Sequence, residues 1–145
     1  MKSLFAQYAT NRKHEAEGIW VEVQAATEHQ KATRFRVARR GRTNKRYRAM
    51  LDAEIKPFSV QLRNETLDPE TDEQITRKVF CSTILLGWSG VYAPEIFGTE
   101  DEIEFTVDNA IKLMKALPDL YDMLVEQASK ASNFRDAERE DEAKN

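Results

Sequence analysis

The sequence predicts an α+β fold, mainly helical: an N-terminal β-hairpin packed on about four helices, followed by a disordered acidic C-terminal tail. Three observations predict it. Residues 18–24 and 33–37 alternate apolar and polar side chains with the two-residue period of strands, whereas the spacing from Asn44 onward becomes helical. Pro57, Asp68-Pro69, Gly87, Thr106 and Leu117-Pro118 then divide the helical part with capping and breaking residues. At 145 residues, with 41% hydrophobic and 32% charged side chains, the chain is long enough to bury one core as a single domain over 1–135, leaving 136–145 as a charged flexible tail.

In chain order, Ser3 to Lys13 reads as a short helix. In GIWVEVQ, Ile19, Val21 and Val23 face one way and Trp20, Glu22 and Gln24 the other, and the β-branched content agrees with a strand. Thr33 to Val37 repeats the pattern with Phe35 and Val37 opposite Arg34 and Arg36, and a loop longer than a tight turn joins the two. Trp20 sits on the polar side, either packed under the helices as part of the core or exposed to a partner.

Thr43 is positioned to cap a helix through Asn44–Glu54, where Tyr47, Met50, Leu51 and Ile55 share one face. Pro57 ends or kinks it near Lys56, and Phe58 to Leu62 forms a continuation or a separate turn. Asp68 then caps a helix with Pro69 at its first position and Glu70, Asp72 and Glu73 at the positive end of its dipole. This helix is expected to reach Leu86, burying Ile75, Val79 and Leu86 beside Phe80, Ile84 and Leu85, with Gly87 as the left-handed residue that closes it.

Ser89 to Glu104 reads as irregular, with Ile103 and Phe105 forming a short strand or pinning the loop to the core. Thr106 caps a helix whose face is Val107, Ala110, Ile111, Met114 and Leu117. Pro118 opens the last helix, with Leu120, Leu124, Ala128 and Ala131 on one face and Tyr121 and Val125 flanking it. A joint this short makes the pair a V or an antiparallel hairpin.

Charge is segregated along the chain. Through Arg48, twelve Lys and Arg stand against four Asp and Glu, a balance of +8, while the remainder carries −11. Arg34, Arg36, Arg39, Arg40, Arg42, Lys45, Arg46 and Arg48 form an electrostatic contact patch together with Lys31. Such a patch suits an acidic protein surface, nucleic acid, or simply solvent. The acidic overall balance and the lack of a helix-turn-helix, zinc or RNA-binding signature make nucleic acid the weaker choice. Opposite charge on the two halves makes head-to-tail self-association reasonable.

No catalytic chemistry is recognisable, and the reading is of a protein that is not an enzyme, with no cofactor and no metal. His14 and His29 are isolated. Cys81 lies between Phe80 and Ile84 and reads as a small buried apolar residue. The acids Glu100, Asp101, Glu102, Glu104 and Asp108 lack the order of a calcium loop. No segment approaches signal-peptide or membrane-span composition, so no membrane is expected and a cytosolic location is.

The order Leu86-Gly87-Trp88, Phe105-Thr106, Asn109-Ala110, Leu117-Pro118-Asp119-Leu120 and Asn133-Phe134-Arg135 resembles the tail assembly chaperones of long-tailed, siphovirus-like bacteriophages. These landmarks span Leu85 to Arg135, and the N-terminal half carries no part of the likeness. The resemblance implies a host-cytoplasmic protein that binds the tape measure protein, keeps it soluble and helps recruit the tail tube protein. In that family a longer frameshifted product is common. Holding an amphipathic client helix calls for an apolar groove, and the V lined by Met114, Leu117, Tyr121 and Leu124 is the candidate, with Trp88 and Phe134 as further partner-binding residues, although Trp88 equally reads as the cover of the core's end with an indole N–H seeking a partner. Leu117 and Leu124 equally suit a core between paired helices. The rival readings are a nucleic-acid-associated protein using residues 31–48 and a structural tail or virion subunit.

Overall fold

A computed structural model describes residues 3–9 and 12–135, and the side chains of Arg12 and His14 lie outside the description, as does the expected tail. Two short helices, α1 (Leu4–Tyr8) and α2 (Arg12–Glu17), precede the strands β1 (Ile19–Gln24) and β2 (Thr33–Val37). Helix α3 (Lys45–Ile55) leads through a 3₁₀ turn at Lys56–Phe58 into α4 (Ser59–Arg63). Helix α5 (Pro69–Val79) widens into a π turn over Phe80–Ile84 and passes into strand β3 (Leu85–Ser89). The short α6 (Pro94–Phe97), then α7 (Val107–Ala116) and α8 (Pro118–Ser129), complete an α+β fold.

The expected hairpin is present, and β3 extends it into a three-stranded antiparallel sheet ordered β1-β2-β3. The expectation of a helix through Leu86 with a C-terminal Gly87 is thereby corrected. The run from Phe80 to Leu86 is mostly apolar, interrupted only by Ser82 and Thr83, so it lacks the one-sided stripe that distinguishes a surface helix and suits a buried strand equally well. Its pairing partner decides the outcome: Phe35 faces Trp88, Arg36 faces Gly87 and Val37 faces Leu85. Leu86 is the extra residue of a bulge.

Several boundaries follow their local chemistry. Asn44, one residue after the expected Thr43, caps α3 by accepting the Tyr47 N–H at 3.0 Å. Thr106 accepts the Asn109 N–H at 3.0 Å, and Pro118 opens α8 as expected. Asp68 does precede Pro69 at the start of α5, but its carboxylate accepts the Thr71 hydroxyl at 3.4 Å and caps no backbone N–H.

The core lies on one side of the sheet. Phe35, Val37, Leu85 and Trp88 from the strands meet Phe80, Cys81 and Ile84 of the π turn and Ala110, Leu113, Met114, Leu124 and Ala128 of α7 and α8. Phe35 and Phe105 both meet Trp88 edge to face, at 5.9 and 5.1 Å between ring centres. Ile103 pins the irregular segment, donating its N–H to Val91 at 2.9 Å. The expected α3 face is only half-buried at Tyr47, Met50, Leu51 and Ile55, while Val107 and Leu117 at the ends of the α7 face are exposed.

Candidate functional site

The V between α7 and α8 is packed shut. Met114, Leu124, Trp88 and Phe134 are all buried, so these four are core residues and present no surface to a client in this conformation. The physical reason is the sheet: with β3 added, α7 and α8 cover its apolar face and the groove lining becomes the layer between them. Only Leu117, 42% exposed at the joint, and the half-buried Tyr121, edge to face with Phe80 at 5.3 Å, reach outward. Burial pushes the Tyr121 phenol up to about 12.

Large apolar side chains reach solvent elsewhere. In α1, Leu4, Phe5 and Tyr8 are 76, 82 and 65% exposed, at the i, i+1 and i+4 positions of one helical stripe. Ser3 caps this helix, accepting the Ala6 N–H at 3.0 Å.

The basic residues do not form one patch. Arg34 and Arg36 project from the sheet face opposite the core, where Trp20 pairs with Arg36 and Glu22 with Arg34. Both guanidinium carbons lie 6.0 Å from the Trp20 ring centre, and the ring is 51% exposed. Trp20 is therefore a surface residue, which corrects the core expectation: the π turn, α7 and α8 pack on the other face, and Trp20 remains 51% exposed. Among the described residues, Arg36 Nε is the buried side-chain nitrogen or oxygen that has no hydrogen-bond partner.

Arg39 turns the other way and pairs with Glu15 at 2.7 Å, fixing α2 against the end of β2. Its backbone N–H donates to the Glu15 carbonyl at 2.9 Å, and the Thr43 hydroxyl donates to the same carboxylate at 3.2 Å. Arg40 lies over the Tyr47 ring at 5.7 Å and its backbone N–H donates to Ala128 of α8 at 2.8 Å. These two arginines have structural roles. Lys45 and Arg46, in the first turn of α3, line a cleft of about 510 Å³ with Glu15, Ala16, Ala38, Arg39, Thr43, Asn44, Thr83 and Leu86. Arg42 and Arg48 are exposed, and Arg48 donates to the Arg42 carbonyl at 3.4 Å.

The acidic loop is partly structural. Glu102 accepts the Gly90 N–H at 2.8 Å and pairs with Lys31 at 2.8 Å. The Lys31 ammonium, followed by the Gly90 hydrogen bond, holds the Glu102 carboxyl below its ordinary value. Among the described residues no three His, Cys, Asp or Glu side chains gather as metal ligands. Cys81 is fully buried as expected, and desolvation pushes its thiol up to about 12. Among the same residues no helix is long and apolar enough to cross a membrane.

A family described as YdaY prophage protein has a model that matches residues 42–145, more than two-thirds of the chain. The chain belongs to that family. Its origin is accordingly phage-derived. No curated protein and no solved structure matches it. The match to this prophage family contains every landmark from Leu86 to Arg135 and the whole of α3 through α8.

Sequence reasoning left Trp20 open between core and surface, and it missed a second surface feature, the α1 stripe. A signal for the second was present, since Leu4, Phe5 and Tyr8 lie on one helical stripe with no matching core position downstream.

Proposed function

We propose that this prophage protein is a tail assembly chaperone, which binds the tape measure protein, keeps it soluble in the host cytoplasm and helps recruit tail tube subunits. The observation that carries the reading is the exposed α1 stripe of Leu4, Phe5 and Tyr8. A chaperone for long apolar helices needs apolar side chains available before its client arrives, and side chains this large gain more from covering than from water. Two further facts support it: the phage-derived family, and the fact that the landmarks of the resemblance fall at structural joints. Trp88 anchors the irregular segment, Thr106 caps α7, Pro118 opens α8 and the Asn133 amide donates to Gln127 at 2.9 Å.

Its action is binding and not catalysis, in keeping with a Cys81 thiol that is buried and held protonated. The client surface moves from the V to α1, with Leu117 as the exposed remnant of the original groove. Co-expression with a helical fragment of the tape measure protein from the same prophage tests the proposal. The fragment is expected in the soluble fraction, bound to the chaperone; a fragment that stays wholly insoluble overturns it.

A further inference from the structure

We infer that the open face of the sheet, together with the neighbouring cleft, binds single-stranded nucleic acid, with Trp20 stacking on a base and Arg34, Arg36, Lys45 and Arg46 meeting phosphates. Strand pairing builds the platform. Trp20, Arg36 and Gly87 lie in one row across the three strands, and Glu22, Arg34 and Ser89 in the next. Space is open above Gly87, where an added side chain would touch nothing within 4 Å. The row is thus a shelf with an aromatic ring at one side, a guanidinium in the middle and bare backbone at the other.

The cleft neighbours the shelf. Leu86 lines that cleft, and both its Cδ1 and the Arg36 Cγ crowd the position of a Gly18 side chain, at 2.9 and 3.1 Å from where a Cβ would stand. Leu86 and Arg36 therefore lie side by side at Gly18, between the sheet face and the cleft. At the far side Lys45 and Arg46 supply further positive charge, and a volume of about 510 Å³ is enough for a nucleotide.

Charge complementarity selects an anion. Of the acids within the track, Glu15 is held by Arg39 in an ion pair, and Glu22 stands opposite Arg34 in the strand register. Arg34, Arg36, Lys45 and Arg46 outnumber Glu22 and set the sign of the track, and the Arg36 Nε is a buried donor with no acceptor. The exposed ring selects nucleic acid over an acidic peptide. Bases present a planar π face to Trp20, and backbone phosphates suit guanidinium groups, the pairing on which sequence-tolerant single-strand binding rests. Carboxylates would use the arginines and leave the ring idle.

The test follows Trp20 fluorescence in the full chain, since Trp88 is buried and Trp20 is exposed. A thymidine oligonucleotide of about ten residues is expected to quench the emission at about 20 mM salt, with affinity falling as salt rises at a log–log slope of roughly −2 to −3. Trp20→Ala should weaken binding, followed by anisotropy of a labelled oligonucleotide, by about tenfold or more. Lys45→Ser with Arg46→Ser, remote from the ring, should weaken it and flatten the salt slope by about one unit. The helical circular dichroism of each variant should match that of the parent. Absence of binding at low salt overturns the inference. So does unchanged affinity in folded Trp20→Ala, or displacement by polyglutamate of equal charge as readily as by unlabelled oligonucleotide.

Discussion

The indole N–H of Trp88 donates to the backbone carbonyl of Ile103 at 2.8 Å, and this bond fastens the irregular segment to the sheet. The ring that carries it is buried between Phe35 and Phe105. Trp88→Phe keeps an aromatic ring but strands a buried carbonyl, which should cost about 1–3 kcal/mol. Urea unfolding checks this as a lowered midpoint with an unchanged slope.

Gly90 and Gly98 both have φ near +70°, yet their surroundings differ. A Cβ on Gly90 would stand 2.1 Å from the Ala32 carbonyl oxygen, whereas one on Gly98 meets nothing. Gly98→Ala should therefore cost only the left-handed strain of about 1–2 kcal/mol. Gly90→Ala adds a backbone clash and should cost about 3 kcal/mol or more. Parallel thermal melts of the two variants distinguish them.

The Lys31–Glu102 pair gives stability a defined pH dependence. The Glu102 carboxyl is held below its ordinary value of 4.5, so its contribution is present above that value and is lost as pH falls through the lower, folded-state pKa. Lys31 is held above 10.5, so its share is lost as pH rises through the higher folded-state value. Glu102→Gln should lower stability by a constant amount near neutrality, with the gap to the parent closing toward both extremes. Urea midpoints measured from pH 2.5 to 11 give the profile, and a gap that does not vary with pH contradicts it.

Cys81 has no exposed surface and a thiol pushed up to about 12. A thiol-specific disulfide reagent at pH 8 should label the native protein only as fast as it opens, and urea should accelerate labelling in step with unfolding. Cys81→Ser introduces a buried hydroxyl and should cost about 1–3 kcal/mol.

Leu4, Phe5 and Tyr8 contribute little to the folded state because they face solvent. Replacing all three with serine should change stability by only about 0.5 kcal/mol or less. The same variant should fail to hold the tape measure fragment in solution. Leu124→Ala should behave oppositely, costing about 2–5 kcal/mol through a core cavity.

Much of the local structure was legible because it is written in short-range chemistry. The alternation at Ile19 and Val21 and at Phe35 and Val37 corresponds to β1 and β2, while Val23, expected on the same face, is exposed at a register shift; Thr106 caps α7 and Pro118 opens α8 as expected. Leu85–Ser89 was misread because a strand five residues long is defined by its partner, and β2 lies some fifty residues upstream. The same omission hid the surface. Without β3 there was no way to tell which side of Trp20 the helices would cover, nor that Met114 and Leu124 would be sealed beneath the sheet. The basic run looked continuous in one dimension, but strand alternation and the turn after Val37 send Arg36, Arg39 and Arg40 to three different partners.

The middle position of β2 bears on what the family region can do alone. The match begins at Arg42, after both strands of the hairpin, yet the sole strand inside it among the described residues, β3, takes its ladder from β2. Phe35 and Val37 fill the layer beneath Trp88 and Leu85. Residues 42–145 thus describe a recognisable sequence but an incomplete folding unit, whose missing piece must come from whatever precedes it. In this chain that piece is β2, which supplies two inward-facing apolar residues, Phe35 and Val37, and the strand edge on which β3 closes the fold.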